Sequence, residues 1–154
     1  MHWSAVGAIA SFATFQARKM SLLQWNESYS VQVTSLDQQH QTLFRTINEL
    51  HGAMRAGHGK DLLGKMLQRL IDYTGSHFAA EEAIIEKNGY PELAARRTAH
   101  QALVKQVLKF QKDFEAGAPV AAVDLMQFLQ KWLNEHIQNT DKKYGPFLNE
   151  KGIR

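Results

Sequence analysis

The chain has 154 residues, 44% of them hydrophobic and 21% charged, which is the composition of an ordinary soluble globular protein of one domain. It contains no cysteine, which excludes disulfides and thiolate metal sites, so any metal ligands must come from His, Asp and Glu. The formal net charge is only +3, and the lysines and arginines are scattered. This pattern predicts neither a nucleic-acid partner nor binding to a membrane surface.

The first 19 residues differ from the rest of the chain. Ala5 to Phe15 is a short run of mostly small and apolar residues without helical periodicity, and Arg18-Lys19 follows it. A secretory signal carries its positive charge before the apolar run, and a membrane-spanning helix needs about 20 apolar residues. We therefore expect residues 1–19 to be a tail of unknown origin, residues 20–154 to form the domain, and the location to be cytoplasmic.

Residues 22–33 contain two aromatic residues and the alternating valines Val31 and Val33. No second strand pattern follows, so we predict an extended N-terminal arm that packs over one end of the domain. We expect Ser35 or Asp37 to cap the helix that comes next.

Four long segments show apolar residues spaced by threes and fours, the period of an amphipathic helix. They are residues 37–56, residues 61–88, the stretch between Pro91 and Gly117, and residues 121–143. Gly145-Pro146 should end the fourth helix and leave Phe147-Leu148 as a short tail. Because the connections are short, we predict an all-α, up-down-up-down antiparallel four-helix bundle with the extended arm at its N-terminus.

The second helical segment contains an unexpected pair of polar residues on its apolar stripe. After three leucines the stripe continues through Thr74, His77, Glu81 and Ile84. An imidazole and a carboxylate thus lie one turn apart on a face that should be buried. A buried carboxylate without a partner is costly, so a cation must meet Glu81, and a metal ion is the leading candidate.

The other three helices carry similar residues at the same predicted level. His40 lies near the start of the first helix, His100 in the first half of the third, and His136 and Asp141 late in the fourth. Antiparallel packing brings all of them to the end of the bundle that holds the pair in the second helix. Histidine and carboxylate ligands suit Fe, Mn or Zn, and two carboxylates suit a dinuclear centre. No ligand role is expected for His2, His51 or His58.

The spacing of His136 and Asp141 requires an irregular helix. Residues five apart lie about 140° apart on a regular α-helix, whereas residues four apart lie only about 40° apart. Both side chains can reach one site only if the helix end loosens or contains a π-type turn, a feature often found at functional sites.

Four motifs together carry a family resemblance. They are His40-Gln41-x-Leu43, His77-Phe78-x-x-Glu81-Glu82, Tyr90-Pro91 followed by His100, and His136-Ile137-x-x-x-Asp141. They closely resemble the hemerythrins, particularly the single-domain bacteriohemerythrins, over about residues 25–144. The resemblance implies reversible O2 binding at a non-haem diiron centre bridged by a Glu, an Asp and an oxo or hydroxo group.

The same resemblance assigns a role to each site residue. His40 and His77 would ligate the iron with the open O2 position, Glu81 and Asp141 would bridge the two irons, and His100 and His136 would hold the second iron. Leu43, Trp132 and Ile137 would line an apolar O2 pocket that keeps water and protons away.

One position departs from the family pattern. After Tyr-Pro the family normally has His-x-x-x-His, but here Arg96 stands one turn before His100. A guanidinium stays protonated and has no lone pair for a metal. Arg96 could swing toward the surface and leave a perturbed diiron site, which we favour slightly. Alternatively, it could stay inside and pair with Glu81 or Asp141, leaving one metal or none.

The sequence thus predicts an O2-binding protein for transport, storage or sensing, with a perturbed second iron site. No nucleophile or acid–base pair is visible outside the ligand set, so we expect no enzymatic activity, and we expect a monomer. Two alternatives remain: iron-dependent reactivity toward peroxide or nitric oxide at the altered iron, and a metal-depleted structural or binding bundle.

Overall fold

The computed structural model describes residues 23–117 and 122–154. Its α-helices are α1 (Thr34–Arg55), α2 (Lys60–Lys87), α3 (Leu93–Glu115), α4 (Ala122–Glu135) and α5 (Lys142–Glu150). A π-helical segment, His136–Asp141, joins α4 to α5, so these three elements form the fourth helix of a bundle. The described ranges contain no strand, and the predicted all-α four-helix bundle is confirmed. The predicted tail, residues 1–19, and His2 lie outside the described residues.

The helices pack as the short connections predict, with α2 against both α1 and α3, and α4 against α1. Gly57 and Gly89 close the first two connections with φ values of 71° and 73°, a left-handed conformation that glycine adopts without strain. No helix among the described residues is long and apolar enough to cross a membrane. A cytoplasmic location remains a prediction.

Two apolar clusters form the interior. The larger one fills the middle of the bundle with residues such as Leu43, Ile47, Leu70, Leu103, Leu129 and Leu133. The smaller one joins the arm, α1, α2 and α5 through Val31, Val33, Leu36, Ile85, Tyr90, Tyr144 and Leu148. The predicted ligand residues lie along the helices between these clusters, for example His40 between Leu36 and Leu43 on α1. Apolar packing therefore encloses the polar site on both sides.

The N-terminal arm is present and contains a short 3-10 helix, Glu27–Tyr29, but the predicted helix cap is wrong. Helix α1 begins at Thr34, and its N-cap is Val33, which makes no side-chain capping hydrogen bond. Asp37 lies inside the first turn, where its carboxylate accepts hydrogen bonds from the Ser30 hydroxyl at 2.6 Å and the Val31 backbone N–H at 2.8 Å. The Asp37 carboxylate therefore binds the arm and does not cap the helix, because the arm folds back over the start of α1.

The predicted end of the fourth helix is also wrong. Gly145-Pro146 does not terminate it; α5 continues to Glu150, with Pro146 inside the helix and Leu148 fully buried. An interior proline removes one backbone hydrogen bond and crowds the carbonyl four residues earlier. Here α-helical geometry resumes at Lys142 after the π-helical segment, so Pro146 lies near the start of α5. Burial of Tyr144 and Leu148 offsets the remaining cost.

Gly145 allows α5 to lie directly against the arm. A Cβ atom at this position would be 2.5 Å from the Val31 carbonyl oxygen. We expect Gly145→Ala to lower the free energy of unfolding by roughly 1–3 kcal/mol, because the arm or helix must shift. Urea unfolding measures this. Gly52→Ala in α1 is the control: a Cβ there meets nothing within 4 Å, so it should stabilise by about 0.5–1 kcal/mol. Equal stability of the two variants would contradict close packing at Gly145.

Candidate metal centre

All six predicted ligand side chains meet in one buried cluster. Every one is at most 6% exposed, and Glu81, Asp141 and His40 are fully buried. They come from every helix of the bundle: His40 from α1, His77 and Glu81 from α2, His100 from α3, and His136 and Asp141 from the π-helical segment. The convergence predicted from helix position is therefore present.

Four atoms at one side of the cluster surround a common space. They are His40 Nε2, His77 Nε2, one Glu81 oxygen and one Asp141 oxygen, within 4.8 Å of one another. The distance from His77 Nε2 to Glu81 Oε2 is 3.1 Å, and that from His40 Nε2 to Asp141 Oδ2 is 3.2 Å. Yet each of these four atoms is buried without a hydrogen-bond partner, so the contacts are not aligned as hydrogen bonds. Buried polar atoms rarely lack a hydrogen-bond partner, and a bound cation would satisfy all four of these atoms together.

The other side of the cluster contains the remaining two histidines. His100 Nε2 and His136 Nε2 are 3.3 Å apart, and Glu81 Oε1 lies 3.5 Å and 3.7 Å from them. His136 Nε2 is also 3.1 Å from Asp141 Oδ1. The two carboxylates therefore stand between the two histidine pairs, in the positions that bridging groups would take.

Arg96 points into this second side and not toward the surface. It is 2% exposed, and its Nη1 donates to Glu81 Oε1 at 3.2 Å and to Asp141 Oδ1. Its Nη2 donates to the Thr140 carbonyl at 2.7 Å. Burial alone would lower the pKa of Arg96, but the two carboxylates outweigh it and raise that pKa. The sequence left two orientations of the Arg96 side chain open, and in the structure the side chain points inward. The prediction that it points outward, which we favoured slightly, is wrong.

The π-helical segment explains how residues five apart share one site. The Lys142 N–H donates to the Ile137 carbonyl, the i to i−5 bond of a π-helix, and His136 and Asp141 both face the cluster. The predicted irregular turn is thus confirmed. Arg96 contributes to it, because its bond to the Thr140 carbonyl satisfies a group inside the segment.

The family model described as "Hemerythrin HHE cation binding domain" matches residues 31–148, most of the chain and every one of these side chains. The chain belongs to the hemerythrin HHE family. A bacteriohemerythrin from Methylococcus capsulatus is 37% identical over 131 residues, covering 84% of this chain and 99% of that relative. One from Stenotrophomonas maltophilia is 34% identical over 125 residues, covering 81% of this chain and 80% of the relative.

Solved structures of the hemerythrin family agree with this assignment. A crystal structure of wild-type hemerythrin has a TM-score of 0.75 and 38% identity, covering 81% of this chain and 96% of that one. A hemerythrin variant with tyrosine in place of a leucine has a TM-score of 0.76 at 37% identity, covering 82% of this chain and 97% of that one. The resemblance drawn from the four motifs is confirmed at the level of family and fold.

Two polar residues to which the sequence assigned no role orient two histidines of this hemerythrin-type site. Gln39 Oε1 lies 2.7 Å from His77 Nδ1, and Glu82 Oε2 lies 3.4 Å from His100 Nδ1. A bond at Nδ1 places the proton there and leaves Nε2 as the lone-pair nitrogen toward the cluster. Gln39 directly precedes the predicted ligand His40, and Glu82 directly follows the predicted ligand Glu81 and stands in the second of the four motifs.

An apolar cavity lies beside the hemerythrin-type site, toward the middle of the bundle. Its volume is about 10 Å³, which is room for about one water-sized molecule. Its lining is Leu43, Ile47, Leu70, Ile71, Thr74, Leu103, Val104, Val107, Leu129 and Trp132. Two of the three predicted pocket residues, Leu43 and Trp132, are therefore on its wall. Ile137 is fully buried in the larger apolar cluster instead of the lining.

Trp132 connects this cavity to the cluster of ligand residues. Its ring stacks on the His136 ring at a centroid distance of 4.9 Å. Phe78 lies between Trp132 and His100, stacked on the latter at 3.7 Å. One aromatic ring therefore covers a face of each histidine of the second pair.

In the metal-free protein, contacts within the cluster keep some of its buried side chains charged. Burial would raise the pKa of Glu81, but contacts with four histidines hold that pKa well below its usual value. Burial would lower the pKa of His40, but Asp141 and Glu81 raise it to about 9. For His77 burial outweighs the contact with Glu81 and lowers the pKa. At neutral pH the cations Arg96 and protonated His40 therefore accompany the two carboxylates.

This arrangement predicts a pH dependence for the metal-free protein. The pKa of His40 is higher when folded, so its stabilisation is complete below the unfolded value near 6.5 and is lost as pH rises through about 9. We expect the free energy of unfolding to fall over this window, by on the order of 3 kcal/mol. Urea unfolding in chelator at several pH values measures this. His40→Leu should flatten the slope, whereas His58→Asn in the exposed turn should not. An unchanged slope in His40→Leu would exclude His40 as the source.

Proposed function

We propose that this chain is a non-haem iron protein that binds O2 reversibly at a hemerythrin-type site whose second metal position is perturbed by Arg96. The observation that carries this proposal is the set of four buried, unpartnered donor atoms beside an apolar cavity. Nitrogen and oxygen donors without thiolate suit iron among the common transition metals. The family match and the bacteriohemerythrin relatives support the same function.

Each side chain has a definite task in this proposal. His40 and His77 would hold the first ion through Nε2, and Glu81 and Asp141 would each offer an oxygen to it. Gln39 would keep the His77 ring in the required tautomer. A bound iron ion would supply an open coordination position and the electrons that O2 binding needs. The chain's own part is to hold the ligands in place and exclude water.

The cavity wall would provide the exclusion. Leu43 belongs to the same helix as His40 and lies on its stripe, so it faces the space next to the first ion. Trp132 closes the side toward His136. An apolar, enclosed space admits a small neutral molecule such as O2 and disfavours water and protons. Ile137, which the resemblance also places in the pocket, is buried in the larger apolar cluster and is not part of this wall.

The test is spectroscopic. Protein loaded with Fe²⁺ without oxygen should be colourless, should gain a visible charge-transfer band when O2 is admitted, and should lose it when O2 is removed. His77→Asn should abolish the band, and His51→Asn, the same change at a partly exposed position away from the cluster, should keep it. Iron-loaded protein whose spectrum does not respond to O2 would refute the proposal.

The same sample separates O2 binding from catalysis. Repeated additions of hydrogen peroxide should be consumed no faster than by an equal amount of iron-loaded His77→Asn. Sustained consumption far above that control would favour the enzymatic alternative at the altered iron.

A further inference from the structure

We infer that this site takes a single metal ion, held by His40, His77, Glu81 and Asp141, and that the Arg96 guanidinium permanently occupies the place of a second ion. The inference rests on the metal-binding part of the proposed function and is independent of O2 binding. It concerns the residues of this chain, because the side chain that displaces the second ion is its own.

The first step is the state of the carboxylate oxygens. Glu81 Oε2 and Asp141 Oδ2, which face His40 and His77, have no hydrogen-bond partner. The opposite oxygens, Glu81 Oε1 and Asp141 Oδ1, both accept from Arg96 Nη1. A second ion held by His100, His136 and Glu81 would use Glu81 Oε1, the oxygen that faces the two histidines and already accepts from Arg96. One side of the bridge is therefore open to a metal, and the other is already occupied by a cation.

The second step is the anchoring of Arg96. Its guanidinium carbon lies 4.6 Å from the centre of the Tyr144 ring and 5.7 Å from that of Tyr90, both within the range of a cation–π contact. Its Nη2 is bound to the Thr140 carbonyl. A guanidinium held by two carboxylates, a carbonyl and two aromatic rings would lose all of these contacts on moving outward. A second ion must compete with all of them.

The third step is the count of charges. Glu81, Asp141 and Arg96 leave the site with a net charge of minus one when the histidines are neutral. One divalent ion brings the site to plus one, and a second ion would bring it to plus three in a fully buried volume. Repulsion between a guanidinium and an adjacent divalent ion is strong when both are away from water. The first ion is attracted to the site, whereas the second is repelled.

The remaining histidines have other partners in this arrangement. The Nε2 atoms of His100 and His136 are 3.3 Å apart, near enough for one ring to donate a hydrogen bond to the other. His136 Nε2 also contacts Asp141 Oδ1, and His100 Nδ1 contacts Glu82. The pair thus has polar partners without a metal. The Nε2 atoms of His40 and His77 are buried without a hydrogen-bond partner, whereas those of His100 and His136 are not.

The experiment counts ions. The full chain and its Arg96→His and Arg97→His variants are loaded with excess Fe²⁺ without oxygen, desalted, and analysed for iron per chain. We expect one ion in the unmodified chain and two in Arg96→His. Arg97→His, the same substitution at the next residue, should keep one, because Arg97 is 44% exposed and pairs with Glu82 and Glu86. After oxidation, EPR should show an isolated high-spin ferric ion in the unmodified chain and a coupled, silent pair in Arg96→His.

Each outcome bears on the inference. Two ions in the unmodified chain would overturn it, as would none, and a single ion in Arg96→His would show that Arg96 is not what limits the count. If Arg96→His does not fold, titration of the unmodified chain with Co²⁺ must still saturate at one equivalent. One bound iron without an O2-dependent band would keep this inference and refute only the O2 proposal.

Discussion

Replacing Arg96 with methionine is expected to lower the free energy of unfolding of the metal-free protein by about 3–5 kcal/mol, the usual effect of removing one partner of a buried ion pair. Methionine fills similar space but carries no charge, so Glu81 and Asp141 lose the cation that both contact. Urea unfolding in the presence of chelator measures the change. Arg97→Met, at an exposed position, should change stability by less than about 0.5 kcal/mol.

Saturating metal should reduce the loss in Arg96→Met, because a divalent ion supplies positive charge to the same two carboxylates. The metal-free and metal-loaded proteins therefore have to be compared in parallel. If Arg96→Met and Arg97→Met were equally stable without metal, Arg96 would not be the counterion that the structure shows.

The second large effect concerns the metal itself. Its four proposed ligands come from α1, α2 and the π-helical segment, and only the native fold brings them together. A metal that binds the native state alone stabilises it by mass action, by about 4 kcal/mol when its free concentration is a thousand times the dissociation constant. We expect the unfolding temperature to rise on adding Fe²⁺ or Co²⁺ and to fall with chelator.

The control for this effect is a variant with an incomplete ligand set. His77→Asn should show a much smaller shift between chelator and saturating metal, whereas His51→Asn should shift like the unmodified chain. An unfolding temperature that stays the same in chelator and in excess metal would refute a metal in the interior.

Much of the site could be predicted because its residues break a strong pattern. His77 and Glu81 interrupt a leucine stripe, and helix period together with short turns was enough to bring His40 and His100 to the same level. The five-residue spacing of His136 and Asp141 predicted an irregular turn, since a regular helix cannot bring both to one site. These predictions rely on local geometry and on the cost of burying polar groups.

Other features depend on contacts between segments distant in sequence. Asp37 was expected to cap a helix, but it binds the arm. Pro146 was expected to end a helix, but the restart after the π-helical segment and the packing on Val31 keep it helical. The direction of Arg96 was open because a long side chain can reach either solvent or a carboxylate. The choice depended on how close Glu81 and Asp141 lie, and the sequence does not contain that distance.

The π-helical segment has a consequence for insertions and deletions. Its first and last residues, His136 and Asp141, face the cluster, while Tyr144, Gly145 and Leu148 beyond it pack α5 near the arm. Losing one residue between His136 and Asp141 would let the segment close as regular α-helix with those two still within about 40° of each other, so α5 would keep its rotation relative to α4. Gln138 and Asn139, between them, are exposed, and the Gln138 amide donates to the Ser28 hydroxyl at 3.1 Å. The segment is therefore equivalent to one extra residue inserted into a regular helix, and the insertion leaves unchanged which side chains on either side of it face the interior.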